Sequence, residues 1–124
     1  MKTKSLFVAS ALIEAGAGVA LIVTPAMTVP LLIGGSFDLP AGAVVGRLTG
    51  VALLALALAC WISRNDTVTS VRGLLAGMLL YNAAAVAVLS YSGLGLRLAG
   101  IGLWPTVVLH LGMTVWCFAS LGKK

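Results

Sequence analysis

Polar residues are sparse along this chain and fall in clusters, leaving four apolar stretches. Each is long enough for the roughly 20 helical residues that cross a hydrocarbon core of about 30 Å. The first, residues 5–24, is stopped by Pro25, and the second, 41–62, follows Pro40; the third covers 68–90 and the fourth 98–121. None alternates over ten residues as a lipid-facing barrel strand does, and helices satisfy their own backbone where lipid cannot. The pattern predicts an all-α integral membrane four-helix bundle, with residues 1–124 forming one domain. The link at 25–40 is itself apolar from Val29 to Ile33, which predicts a short interfacial segment lying along the outer surface.

Composition supports this reading. Of 124 residues, 60% are hydrophobic and 9% charged, against roughly a quarter charged in an ordinary soluble domain. So small a chain could not hide that apolar surface from water. A soluble enzyme, a disordered tail, a disulfide scaffold and a nucleic-acid binder each need charge or cysteine that is missing. The net charge of +5 reflects direction of insertion. Lys2, Lys4, Arg64, Arg72, Lys123 and Lys124 fall on one side of the four spans, whereas Asp38 and Arg97 fall on the other. Basic loops stay inside, so both termini should be cytoplasmic in a bacterial-type inner membrane. Trp61 and Trp116 should anchor at the inner interface, Trp104 and Tyr91 at the outer one. The basic start followed by an apolar run imitates a secretory signal, but Glu14 interrupts it, and the run is read as an uncleaved first helix.

Each span carries one strongly polar residue: Glu14, Arg47, Asn82 and His110. At 1.5 Å of rise per residue, all four fall between the outer quarter and the middle of the membrane. They are expected to form one layer, with Glu14 and Arg47 as an ion pair and Asn82 and His110 filling the remaining donors and acceptors. Tyr81, Thr49 and Thr114 would assist. Removing one member of a buried pair costs about 3–5 kcal/mol. The layer could be interhelical glue, a proton path, or the polar floor of a cavity for the head of a lipid-like molecule. Glu14, Arg47, Asn82, His110 and Tyr81 are the candidate ligand-binding residues.

Rows of glycine suggest close helix approach: Gly42, Gly46 and Gly50 in the second span, Gly73 and Gly77 in the third. They can serve packing inside the bundle, a homo-oligomer, or a larger membrane complex. Ile13-Glu-Ala-Gly-Ala faintly matches Tyr81-Asn-Ala-Ala-Ala, as two repeated hairpins would. Met113 and Cys117 share the helical stripe of His110, although His110 and Cys117 lie about 10 Å apart along the axis, too far to hold one ion. The stripe is read as packing, Cys60 and Cys117 as free thiols, and Asp66 and Asp38 as helix caps. No phosphate loop, nucleophile elbow or carboxylate pair is present in the sequence, and no cofactor or metal is implied.

The run from Glu14 to Leu21, the stop at Pro25, and the run from Gly46 through Arg47 and Gly50 to Cys60 and Trp61 resemble small bacterial four-span membrane proteins. More distantly they resemble the DoxX-like group. The resemblance covers most of the chain and rests on the span number, the Glu of span one and the Arg-x-x-Gly of span two. It implies a four-helix membrane fold and, in parts of that group, quinone-linked oxidation or lipid and sterol ligands. The extramembrane loops here are too bare to supply a redox site. The combined expectation is non-enzymatic binding of a small amphipathic or lipid-like molecule. The alternatives are an accessory or assembly subunit of a larger membrane complex, and an isomerase-type enzyme using Glu14 and His110 as acid and base.

Overall fold

The structure, a computed structural model, describes residues 2–35, 37 and 40–122. Five α-helices and one 3-10 turn carry the described chain: α1 (Lys2–Val23), α2 (Pro25–Ile33), α3 (Pro40–Ile62), the turn Ser63–Asn65, α4 (Arg72–Leu94) and α5 (Leu103–Leu121). No strand is present among the described residues. The four long helices are those long and apolar enough to cross a membrane. Their outward faces are apolar as lipid requires: Leu12, Leu48, Leu94, Val108 and Phe118 are each more than half exposed. The chain is thus built as a membrane four-helix bundle.

Proline sets the first corner. Pro25 has no N–H to continue α1 and opens α2 at its first turn, where a missing donor costs nothing. Thr24 and Thr28 stitch the corner through their hydroxyls, which donate to Ala20 O at 3.1 Å each. The expected interfacial segment is therefore a two-turn helix, and it is bound to the bundle. Gly100 N donates to Leu32 O (2.8 Å) and Gly102 N to Leu31 O (2.7 Å), tying α2 to the link between α4 and α5. Gly100 has to be glycine here, because a Cβ would lie 2.3 Å from Leu31 O and 2.4 Å from Pro30 O.

Two spans begin later than the hydrophobic pattern implies, for the same physical reason. Before α4, the Thr67 and Ser70 hydroxyls meet at 2.8 Å and Ser70 N donates to Thr67 Oγ1 at 3.4 Å, a local bonding pattern that competes with helix. The span foreseen from 68 starts at Arg72 and runs on to Leu94. Thr67, rather than the exposed Asp66, organises this turn; Asp38 lies outside the described residues. Before α5, residues 98–102 are engaged with α2 and with Ser92. Ser92 Oγ donates to Leu98 O while Leu98 N donates to Ser92 O, both at 2.9 Å.

Helices pair into hairpins. α1 packs along α3 and α4 along α5, whereas contacts between the two pairs are far fewer. The α1–α3 crossing is made by glycine: a Cβ on Gly50 would sit 2.6 Å from Gly18 O, and one on Gly18 would sit 2.8 Å from Gly50 O. Buried Gly46 is likewise covered by Pro25. The Gly42, Gly46 and Gly50 row is thus spent inside the chain, while Gly73 and Gly77 face open space.

The hairpins join where α1 and α4 begin and α3 and α5 end. Leu6, Phe7, Ala11, Cys60, Val71, Leu75, Met78, Met113 and Cys117 form one buried cluster there. Cys60 and Cys117 are free thiols, and Cys60 Sγ lies 3.7 Å from Met78 Sδ. Toward α2 the hairpins part, and α3 scarcely touches α4.

Candidate functional site

The parting leaves a cavity of about 740 Å³ between the two hairpins, bordered by α2. Alanine, leucine and valine supply most of its wall, chiefly from α4 (Leu80, Ala84, Ala85, Val88). Thr28, Leu31 and Leu32 of α2 lie on the wall, so the segment between α1 and α3 is part of the site. Three polar residues of the spans, Glu14, Tyr81 and His110, come together on that wall.

Their geometry follows from helical register. Glu14 lies on the face of α1 that turns toward α4, and its side chain is only 3% exposed. Tyr81 donates its hydroxyl to Glu14 Oε2 at 3.1 Å, linking the hairpins. The Tyr81 ring also meets the His110 ring edge-on, with centroids 5.5 Å apart. Behind it, Asn82 Nδ2 donates to Met78 O at 2.8 Å, which leaves Asn82 Oδ1 to face His110 Nδ1 at 2.8 Å. Since Oδ1 can only accept, His110 carries its proton on Nδ1 and presents Nε2 as an acceptor. Asn82 is therefore not on the cavity wall; it orients the histidine that is.

Nε2 of His110 and Oε1 of Glu14 have no partner among the described residues. Neither is sealed in protein, because the fully buried side-chain atoms without a partner are Ser10 Oγ and Ser120 Oγ, whose residues do not line the cavity. The site thus holds polar capacity that the protein does not use.

Arg47 is not part of it. Its side chain is exposed, and Nε donates to Ile22 O at 3.2 Å, near the far end of α1. Glu14 and Ile22 are eight residues apart, about 12 Å of helical rise, so the expected Glu14–Arg47 ion pair does not form. An arginine so close to the end of its helix reaches the edge of the apolar region instead of its middle. Thr49 lines the cavity, but its hydroxyl donates to Val45 O of its own helix; Thr114 similarly donates to His110 O. In place of the expected layer of Glu14, Arg47, Asn82 and His110, the structure brings together Glu14, Tyr81, Asn82 and His110.

Sequence reading missed the contribution of Thr28, Leu31 and Leu32, for which the only signal was an apolar run after a proline. Met113 and Cys117 pack in the buried cluster beyond His110. Among the described residues no group of three His, Cys, Asp or Glu could hold a metal ion. A smaller notch of about 330 Å³, lined by Thr3, Lys4 and residues 64–68, lies at the opposite end of the bundle and shares nothing with this site. No protein-family model, curated protein or solved structure matches the chain.

Proposed function

We propose that this chain is a multi-pass protein of a bacterial-type inner membrane that binds a small amphipathic molecule without transforming it. The single observation behind the reading is the meeting of an apolar cavity with unused polar groups. A volume of about 740 Å³ falls within the range of roughly 300–1,000 Å³ typical of small-molecule sites. Such sites pair a mostly apolar wall with a few polar groups that orient the guest. Glu14 and His110 supply those groups here, and Tyr81 and Asn82 hold them in place. The apolar part of the guest lies along α4 beneath α2. The gap between α3 and α4 gives it a route from the lipid.

Orientation follows from charge. Lys2, Lys4, Arg64, Arg72, Lys123 and Lys124 share one end of the span order, and the positive-inside rule assigns that end to the cytoplasm. Reporter fusions at Lys124 and at Gly35 test this: the first should report cytoplasm and the second the exterior. The reverse pattern would turn the bundle over.

Mass spectrometry of molecules retained through purification tests the binding. The wild-type chain should carry a bound amphipath, and Ala85→Phe, which adds volume to the cavity wall and leaves Glu14 and His110 themselves unchanged, should lose it. Equal retention by both chains, or none by the wild type, would end the proposal.

A further inference from the structure

The cavity's polar end is made of acceptors. Glu14 Oε2 takes one hydrogen bond from Tyr81, leaving its second lone pair and all of Oε1 open. His110 Nδ1 is committed to Asn82, so Nε2 adds a further open acceptor. The Tyr81 hydroxyl proton is already given to Glu14, and its oxygen too can only accept. The Thr49 proton is spent on Val45 O, and that of Thr28 on carbonyls of α1 and the corner. Cations are elsewhere. Arg47 is bonded near the end of α1, and Arg64 stacks over Trp61 at 4.2 Å and donates to its carbonyl. Lys4 is ten residues from Glu14, about 15 Å along the helix. Among the described residues Glu14 has no ion-pair partner.

Resting on the reading that the cavity binds an amphipath, we infer that its ligand is a hydrophobic ammonium, a primary amine borne on an apolar body. An anionic head would meet an imidazole acceptor and a carboxyl group that repels it when ionised, with only the Thr106 hydroxyl on the wall left to donate to it. A neutral hydroxyl brings one proton for at least three open acceptor positions. An ammonium brings three N–H donors and the charge that a carboxylate at this depth lacks, and a carboxylate in an apolar medium is stable only when paired. The inference also assigns roles: Glu14 holds the charge, His110 Nε2 takes a second N–H, and Asn82 is a positioning residue that fixes the tautomer.

Three probes with one body and different heads test it: 4-phenylbenzylamine, 4-phenylbenzyl alcohol and 4-phenylbenzoate. Binding is measured by equilibrium dialysis against the full chain in nanodiscs, with empty nanodiscs subtracting lipid partition. The amine should bind about tenfold or more tighter than the alcohol, the size of one charge-assisted hydrogen bond, and the benzoate should bind weakest. Glu14→Gln should abolish the amine's advantage while leaving the alcohol within about threefold of its wild-type affinity. Glu14→Asp should keep the amine ahead. Benzoate binding as tightly as the amine, or an amine preference that survives in Glu14→Gln, would overturn the inference and leave the cavity a binding site of another chemistry. Failure of all three probes to bind, with Ala85→Phe indistinguishable from wild type, would overturn the proposed function itself. Should Glu14→Gln not fold, the ranking of the three heads on the wild-type chain decides.

Discussion

The two ends of this bundle are made from the same small apolar alphabet and behave differently. At the end where α1 begins and α5 finishes, Phe7, Leu75, Met78 and Cys117 are sealed from solvent and the hairpins interlock. At the other end, α4 contributes Leu80, Ala84, Ala85 and Val88 to the wall of an open cavity. In lipid, burying a leucine gains little over leaving it exposed, since lipid tails are equally apolar. Hydrophobicity cannot decide which end closes; shape does. The closed end has large side chains at facing positions. The open end has alanines on α4, and α2 is tied down across the gap by the carbonyls of Leu31 and Leu32.

Truncation separates the ends most sharply. Phe7→Ala empties a fully buried position and should cost about 2–4 kcal/mol, toward the low end of core truncations because only the packing part of the loss applies in lipid. Leu80→Ala, on a side chain that is 70% exposed, should stay within about 0.5 kcal/mol. Unfolding in mixed detergent micelles compares them, and equal costs would erase the distinction. Adding volume gives the converse. Ala57→Phe, at a position 5% exposed, should cost about 1–3 kcal/mol by overpacking. Ala85→Phe should be nearly neutral because it grows into existing space. A large penalty at Ala85 would mean that the cavity is not free to accept a guest.

The polar residues lie where the ends meet. Asn82→Ala leaves His110 Nδ1 without its acceptor and should destabilise by about 1–2 kcal/mol, with the imidazole nitrogen resonances reporting a change in tautomer. A silent Asn82→Ala would detach the histidine from its support. Arg47→Ala should have the smallest effect, under about 0.5 kcal/mol in the same unfolding measurement, because one exposed hydrogen bond to Ile22 O is lost. A loss of about 3 kcal/mol or more, as for a broken buried ion pair, would restore Arg47 to the site.

Much of the architecture was legible in the order of residues. Four apolar runs of the right length give four spans, because the backbone can be satisfied in lipid only within a helix. Pro25 ends the first span and opens the next helix, because a missing N–H acts locally whatever surrounds it. The close crossing at Gly50 was legible as a possibility, but not its partner: Gly18 faces it, so the row closes the first hairpin and is unavailable as a surface for a second chain. The polar set was legible by depth alone. Glu14, Asn82 and His110 do come together, whereas Arg47 bonds at Ile22, about 12 Å of helical rise from Glu14, and turns outward, since counting along one helix fixes neither its register against a neighbour nor its rotation.

Rotation about the helix axis is what tertiary packing decided. Lipid applies no strong preference around an apolar helix, so which face looks inward depends on how neighbouring shapes fit, and that information is spread over every helix at once. The Tyr81–Glu14 contact, the Asn82 bond that sets the histidine proton, and the cavity beneath α2 all depend on that fit. The sequence by itself determined that the chain has four spans, where they break and which end is basic, because those properties are local sums. Only the folded arrangement decided that Glu14 has a phenol for a partner and no arginine, because that depends on register and rotation across several helices at once.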